Sequence, residues 1–228
     1  QLLVRVEQQA LQSGDGAFLG HGAAGDSDGV LQKNLFTGKF DHRAASFLIL
    51  WRCAGRLSAR ERQGLQPRRF LDVQKFLFKK EKNKMFGVQT RIQAGSGSKV
   101  NLVQLLRHSS DYSCLNDIGA VLDDNARLNI VQVILDGDKN YMGCRVVLKG
   151  KGSSLKTDIG YMVNNDGRLD MNYEAVHEGK VTESEINAAG VLKNGAFKLF
   201  RGTIDFKKGA AGAVGNEKED VLLLDDNV

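Results

Sequence analysis

Three cysteines and one histidine are the residues whose chemistry best suits a metal ion, since thiolates and imidazoles bind zinc and iron. Cys53, Cys114 and Cys144 lack the C-x-x-C spacing that is typical of such sites. Cys144 alternates with apolar residues, which predicts a buried structural thiol. Cys114 lies beside a predicted corner of the chain. Because a fold can bring distant residues together, we keep Cys114, Cys144 and His177 as candidate metal ligands.

His177 continues an alternating apolar face over residues 169–175 and stands just before Gly179. A histidine in this position either binds a metal at the edge of a sheet or closes the end of a strand with hydrogen bonds. The sequence leaves both interpretations open. It points to no catalytic residue, and the residues that would bind a cofactor stay unknown.

Glycine-rich segments are the next candidates, because such loops cradle phosphate groups. Residues 20–25 spell G-x-G-x-x-G, but the following DSDG does not begin the helix that a dinucleotide site needs. Residues 95–99 and 209–215 lack the Gly-Lys-Ser/Thr end of a phosphate loop, and both predict turns. We therefore expect no ATP site in this chain.

Short apolar-alternating runs, separated by Gly, Asn and Asp, dominate the chain after residue 86 and predict strands. Before that point, only residues 70–85 have a pattern, with Phe70, Val73, Phe76 and Leu77 spaced as on one face of a helix. The N-terminal part is therefore expected to be poorly defined and partly helical. The predicted strands cover residues 100–106, 128–135, 144–148, 169–175 and 197–206.

The strand segments also resemble one another. Residues 101–106 (NLVQLL) match residues 129–134 (NIVQVI) at an offset of 28, while two shorter matches, DIG and RL, share an offset of 41. Repeated strands with irregular spacing predict an all-β solenoid, in which each coil stacks its inward side chains on the next. A single proline, Pro67, agrees with this, since strands paired on both sides need every N–H. A β-sandwich is the alternative fold.

The net charge of +5 is unevenly distributed along the 228 residues. Up to Met85 there are 15 Lys and Arg against eight Asp and Glu, and from Phe86 onward 17 against 19. The first part is therefore +7 and the second −2, which places a domain boundary between residues 85 and 86. Residues 52–69 are arginine-rich but carry aromatic residues only at their edges, so no nucleic-acid partner is expected.

Composition excludes several further classes. No apolar run approaches the roughly 18 residues of a membrane helix, and no secretory signal is visible. Three cysteines, an odd number, favour a reducing compartment and hence the cytoplasm. Paired carboxylates at residues 123–124 and 225–226 stand in turn-like contexts. A carbohydrate-active β-helix enzyme, acting on acidic polysaccharide through carboxylates in a groove, is the alternative function.

The order of several motifs resembles the core domain of the SufB/SufD family of iron–sulfur cluster assembly proteins. The resemblance covers residues 87–228 and is closest to short SufD-like members. The motifs are CLNDIG at residues 114–119, YMGCR at 141–145, DMNY at 170–173, SEIN at 184–187, FKLFRGTIDF at 197–206, GAAGA at 209–213 and EKEDVLLL at 217–224.

This resemblance implies a right-handed parallel β-helix and the role of a scaffold rather than an enzyme. It implies work with a SufC-like ATPase, and pairing with a SufB/SufD-like partner or a second copy through β-helix edges. We expect no stably bound cofactor and no membrane, with an iron–sulfur cluster held only transiently in the assembled complex.

Two departures from the family pattern lead to further expectations. In the family the Leu-Leu-Leu run is followed by another strand, an acidic segment with histidine and a helical ATPase-binding region, so the core in residues 86–228 is expected to be incomplete. Residues 1–85 do not resemble the family. We interpret them as an unclassified basic segment, either disordered or produced by a frame error, which resequencing of the locus would decide.

Overall fold

The computed structural model describes the backbone of residues 4–12, 45–54, 69–78, 84–107, 112–135 and 137–227. Side chains are described for Met85 and for residues from Gly87 onward within these ranges. The thirteen strands are β1 (Val4–Gln12), β2 (Ala45–Ala54), β3 (Arg69–Phe78), β4 (Lys84–Ala94), β5 (Lys99–Arg107), β6 (Tyr112–Leu122), β7 (Arg127–Leu135), β8 (Lys139–Leu148), β9 (Ser154–Val163), β10 (Arg168–His177), β11 (Glu183–Leu192), β12 (Phe197–Phe206) and β13 (Val214–Leu223).

Successive strands from β4 to β13 alternate between two sheets. Sheet A has the order β1-β4-β6-β8-β10-β12, and sheet B has the order β13-β11-β9-β7-β5-β2-β3. From β4 onward all neighbouring strands within a sheet are parallel. One strand of sheet A and the following strand of sheet B together form one coil, and five such coils stack along an axis. The all-β parallel solenoid expected from the sequence is therefore confirmed.

The N-terminal strands extend both sheets with antiparallel pairing. β1 pairs with β4, and β2 lies between β3 and β5. The helix predicted for residues 70–85 is wrong, because β3 occupies Arg69–Phe78 and β4 begins at Lys84. The boundary suggested by charge, between residues 85 and 86, falls inside β4. Within the described ranges no helix is long and apolar enough to cross a membrane.

Both repeat offsets have a structural meaning. Asn101 on β5 pairs in register with Asn129 on β7, so the offset of 28 is the length of one coil. Arg127 and Arg168 begin β7 and β10, which are three strands apart along the chain. The offset of 41 therefore corresponds to one and a half coils and relates strands of opposite sheets.

The core lies between the sheets and is formed by alternate residues of each strand. Leu102, Ile130, Met171 and Ile186 are among the buried apolar side chains. Complete burial of such a side chain stabilises the fold by about 1.5–3 kcal/mol. Because the strands are parallel and in register, each of these side chains stacks on an equivalent residue one coil away.

The corners that follow the sheet A strands share a backbone conformation. Each such corner has a residue with positive φ, namely Gly97, Asn125, Gly152, Val181 and Gly212, and the last corner has a second one at Gly209. Glycine and asparagine tolerate this left-handed conformation, whereas a β-branched residue is strained there. Val181, with φ of 55°, is also 53% exposed, so burial does not offset the strain.

Replacing Val181 with Asn should raise the free energy of unfolding by about 1 kcal/mol, because the left-handed conformation costs L-residues roughly 1–2 kcal/mol. Urea unfolding followed by circular dichroism measures the change. The reverse substitution at the equivalent corner, Asn125→Val, is the matched control and should destabilise by a similar amount. An unchanged or lower midpoint for Val181→Asn would contradict the assignment of strain to this corner.

Candidate functional site

The three predicted metal ligands lie on inward positions of sheet A but do not meet. Cys114 pairs in register with Asn140, Cys144 with Tyr173, and His177 with Leu148. The inward row that contains Cys114, the row that contains Cys144 and the row that contains His177 follow one another at intervals of four residues along the strands. That is about 13 Å at roughly 3.3 Å per residue. Within the described ranges, no group of three or more His, Cys, Asp or Glu residues could hold a metal ion.

Both described thiols are buried and protonated. Cys114 lies in the third position of β6, near the start of the strand, and is fully buried. Burial raises its pKa far above the usual range. Burial, with a contribution from the charge of Asp117, raises the pKa of Cys144 to about 12. Since the thiolate is the metal ligand and nucleophile, neither sulfur is poised for such chemistry at neutral pH.

His177 closes the end of β10 with two hydrogen bonds. Its Nδ1 lies 2.7 Å from Thr182 Oγ1, and its Nε2 lies 2.8 Å from Ser184 Oγ. Thr182 donates its own hydroxyl proton to the carbonyl of Gly179, so we assign the imidazole proton to Nδ1. The ring also stacks on Phe206, with centroids 4.7 Å apart. With both nitrogens occupied, this histidine has the structural role that was left open above.

A buried network of amides and a phenol was not anticipated. Gln104 Oε1 accepts hydrogen bonds from Asn116 Nδ2 at 2.9 Å and from Gln132 Nε2 at 2.7 Å. The hydroxyl of Tyr173 donates to Gln132 Oε1, and burial raises the pKa of this tyrosine. The network joins both sheets across several coils. Its signal in the sequence was a glutamine at an inward, otherwise apolar position of both repeated segments.

The last coil differs from the others because charges point into it. Lys198 Nζ lies 2.6 Å from Glu219 Oε2, and the hydroxyl of Tyr161 donates to Glu219 Oε1 at 3.0 Å. Among the described strands, β12 and β13 each pair on one side only. Large apolar side chains are correspondingly exposed, including Phe206 at 51% and Leu223 at 55%. In this coil, β12 and β13 each have one edge without a neighbour among the described strands.

The remaining predicted motifs form turns or lie outside the described residues. Asp124 Oδ1 accepts the Lys151 N–H at 2.7 Å, and Asp225 Oδ2 accepts the Asn194 N–H at 2.6 Å. The predicted turns are confirmed at residues 95–98 and 207–213. The G-x-G-x-x-G at residues 20–25, Cys53 and most of the arginine-rich stretch at residues 52–69 lie outside the described side chains.

Comparison with known proteins then decides the family. The family model for the SUF system FeS cluster assembly, SufBD core domain, matches residues 71–228, more than half of the chain. The chain belongs to this family. Its membership supports a role in SUF iron–sulfur cluster assembly. The match begins within β3, upstream of the segment whose motifs carried the resemblance. No curated protein and no solved structure matches the chain.

The stability of the SufBD core should depend on pH through His177. Burial lowers its pKa below the value of about 6.5 that an unfolded chain shows, so the folded state favours the neutral ring. The stability that the neutral His177 ring contributes is fully present above the pKa of the unfolded state. It is lost as the pH falls from that value through the lower pKa of the folded state. Urea midpoints should therefore fall from pH 7.5 to pH 5.0.

The control for this prediction is His177→Gln, because a neutral amide can still bond to both hydroxyls. The variant should lose less stability than the wild type over the same pH range, measured by the same unfolding curves. Equal losses in the two proteins would show that His177 does not titrate on unfolding.

Proposed function

We propose that this chain is a SufD-like scaffold subunit of a SUF complex, and that it acts with a SufC-like ATPase instead of catalysing a reaction itself. The observation that carries the proposal is the match of the SufBD core domain to residues 71–228, which form a parallel β-solenoid from β4 onward. The described interior supports it as well, since the thiols are protonated and His177 is saturated with hydrogen bonds.

A scaffold needs a rigid body and surfaces for assembly. The stacked coils supply the body, because each strand is fixed by its neighbours along the axis. The edges of β12 and β13 supply a surface on which a SufB/SufD-like partner or a second copy continues the sheets. Exposed apolar residues of this end would be covered on pairing, which favours association.

The cluster is cargo in this proposal. An iron–sulfur cluster is held transiently in the assembled complex, and no cofactor is bound stably by this chain. The chain works in the cytoplasm, where reduced thiols are maintained. The glycine-rich segments at residues 95–98 and 207–213 form turns between strands, so ATP hydrolysis is assigned to the partner ATPase.

Anaerobic co-expression with a SufC-like ATPase tests the proposal. The full-length protein, with the C-terminal region of the family present, should retain the ATPase on an affinity column and elute with it in gel filtration. An ABC-type ATPase subunit of unrelated function, expressed in the same way, is the control and should wash through. Failure to retain the SufC-like ATPase would count against the scaffold role.

A further inference from the structure

A second surface lies on the side of the solenoid, on the outer face of sheet A. On the outer face of sheet A, a shallow concavity of about 500 Å³ spans the strands from β4 to β12. One row of outward residues crosses it in register: Gln89, Asp117, Gly143, Asn172 and Arg201. Polar side chains of four coils, with Gly143 in the row between them, therefore line a single track along the solenoid axis.

Gly143 leaves room in this track for the carboxylate of Asp117. A Cβ atom at this position would lie 2.5 Å from Asp117 Oδ1, so the carboxylate occupies the space above the glycine. Asn172 follows on the next strand of the same row. Any larger residue at position 143 would displace the carboxylate and fill the slot between Asp117 and Asn172.

The charges of the concavity leave one carboxylate available. Asp170 forms an ion pair with Arg201, whereas Asp117 forms none within the described part of the chain. Beside the carboxylate stand further acceptors, the side-chain oxygens of Gln89 and Asn172. The lining is thus acidic overall and rich in acceptors, which complements a cation that donates several hydrogen bonds.

The walls of the concavity suit the remainder of such a ligand. Tyr141, 42% exposed, lies two residues before Gly143 on the same face of β8. Tyr141 pairs in register with Leu115 and Asp170, and Asp117 lies in the next outward row of the neighbouring strand. An exposed aromatic ring on the same face as a free carboxylate favours a guanidinium group, which stacks on rings and binds carboxylates with two parallel hydrogen bonds. Leu115 and Leu199 are exposed on either side of Tyr141. They can contact the aliphatic part of the side chain that carries the guanidinium group, or the residues beside it.

We propose that this concavity binds an arginine side chain presented by a partner protein. The carboxylate of Asp117 pairs with the guanidinium group, the ring of Tyr141 stacks on it, and Asn172 accepts a further N–H. This interaction surface goes beyond the scaffold role, because it faces sideways and leaves the edges of β12 and β13 free. Loss of one surface would therefore not imply loss of the other.

Titrations of the full ¹⁵N-labelled chain, followed by NMR, test this proposal. N-acetyl-arginine amide should shift the amide signal of Gly143 in a saturable manner. N-acetyl-citrulline amide, which has the same shape without the charge, should bind about tenfold more weakly, as expected for loss of about 1.4 kcal/mol. Equal binding of the two, or tighter binding of the neutral oligosaccharide cellohexaose, would overturn the proposal.

Two substitutions with matched controls locate the site. Asp117→Asn should weaken arginine binding about tenfold, whereas Asp158→Asn, the same change on the outer face of sheet B, should leave it unchanged. Gly143→Val should abolish saturable binding by filling the slot. Its control is Gly119→Val, because a Cβ atom at position 119 meets nothing within 4 Å. Undiminished binding by Asp117→Asn with an unchanged unfolding midpoint would contradict the assignment.

Discussion

Parallel, in-register stacking of the coils is the constraint on which the rest of this structure depends. Each strand from β6 to β11 is paired on both sides, so its backbone must offer hydrogen bonds in two directions. No proline occurs after residue 67, which is consistent with this requirement. The same stacking places like side chains in one row, as when Asn129 donates to Asn101 at 2.8 Å. A polar residue in the core must therefore find its partner within its own row or across the sheets.

Gln104, Gln132, Asn116 and Tyr173 find partners in one another, while Gln104 Nε2 and Asn116 Oδ1 have none among the described residues. An isolated buried amide would be destabilising, because unmade hydrogen bonds cost about 1–3 kcal/mol. Linked through Gln104 and Gln132, the four side chains instead join sheet A to sheet B. At the last coil the inward polar groups are charged, and Lys198 and Glu219 pair where the core begins to open. The interior thus changes along the axis from apolar and amide-lined to charged.

Local patterns predicted the repeated strands well because period-two alternation is a local property. The run at residues 197–206 coincides with β12, and the offset of 28 is the true stacking register. The same reasoning was wrong for residues 70–85, since β3 is a strand through its pairing with β2, a contact that no local window contains. Long-range pairing overrides the intrinsic preference of a segment.

At the candidate sites too, local patterns could be predicted from the sequence and long-range contacts could not. Inward alternation correctly predicted a buried Cys144, and a strand-closing histidine was one of the two interpretations of His177. Placement of Asp117 over Gly143 could not be predicted, because it depends on the register between β6 and β8. The only signal available was an outward glycine in a strand, which often marks a close approach of another group.

The central claim is that this solenoid assembles with its partners through the open edges of β12 and β13. Light scattering coupled to gel filtration measures it most directly on the 228-residue chain. The unmodified chain should form dimers or larger species. Leu223→Lys on β13 should reduce them, whereas Val131→Lys on the outer face of sheet B should not. A monodisperse monomer of the unmodified chain, which also forms no complex when a SufB/SufD-like partner is added, would contradict the claim.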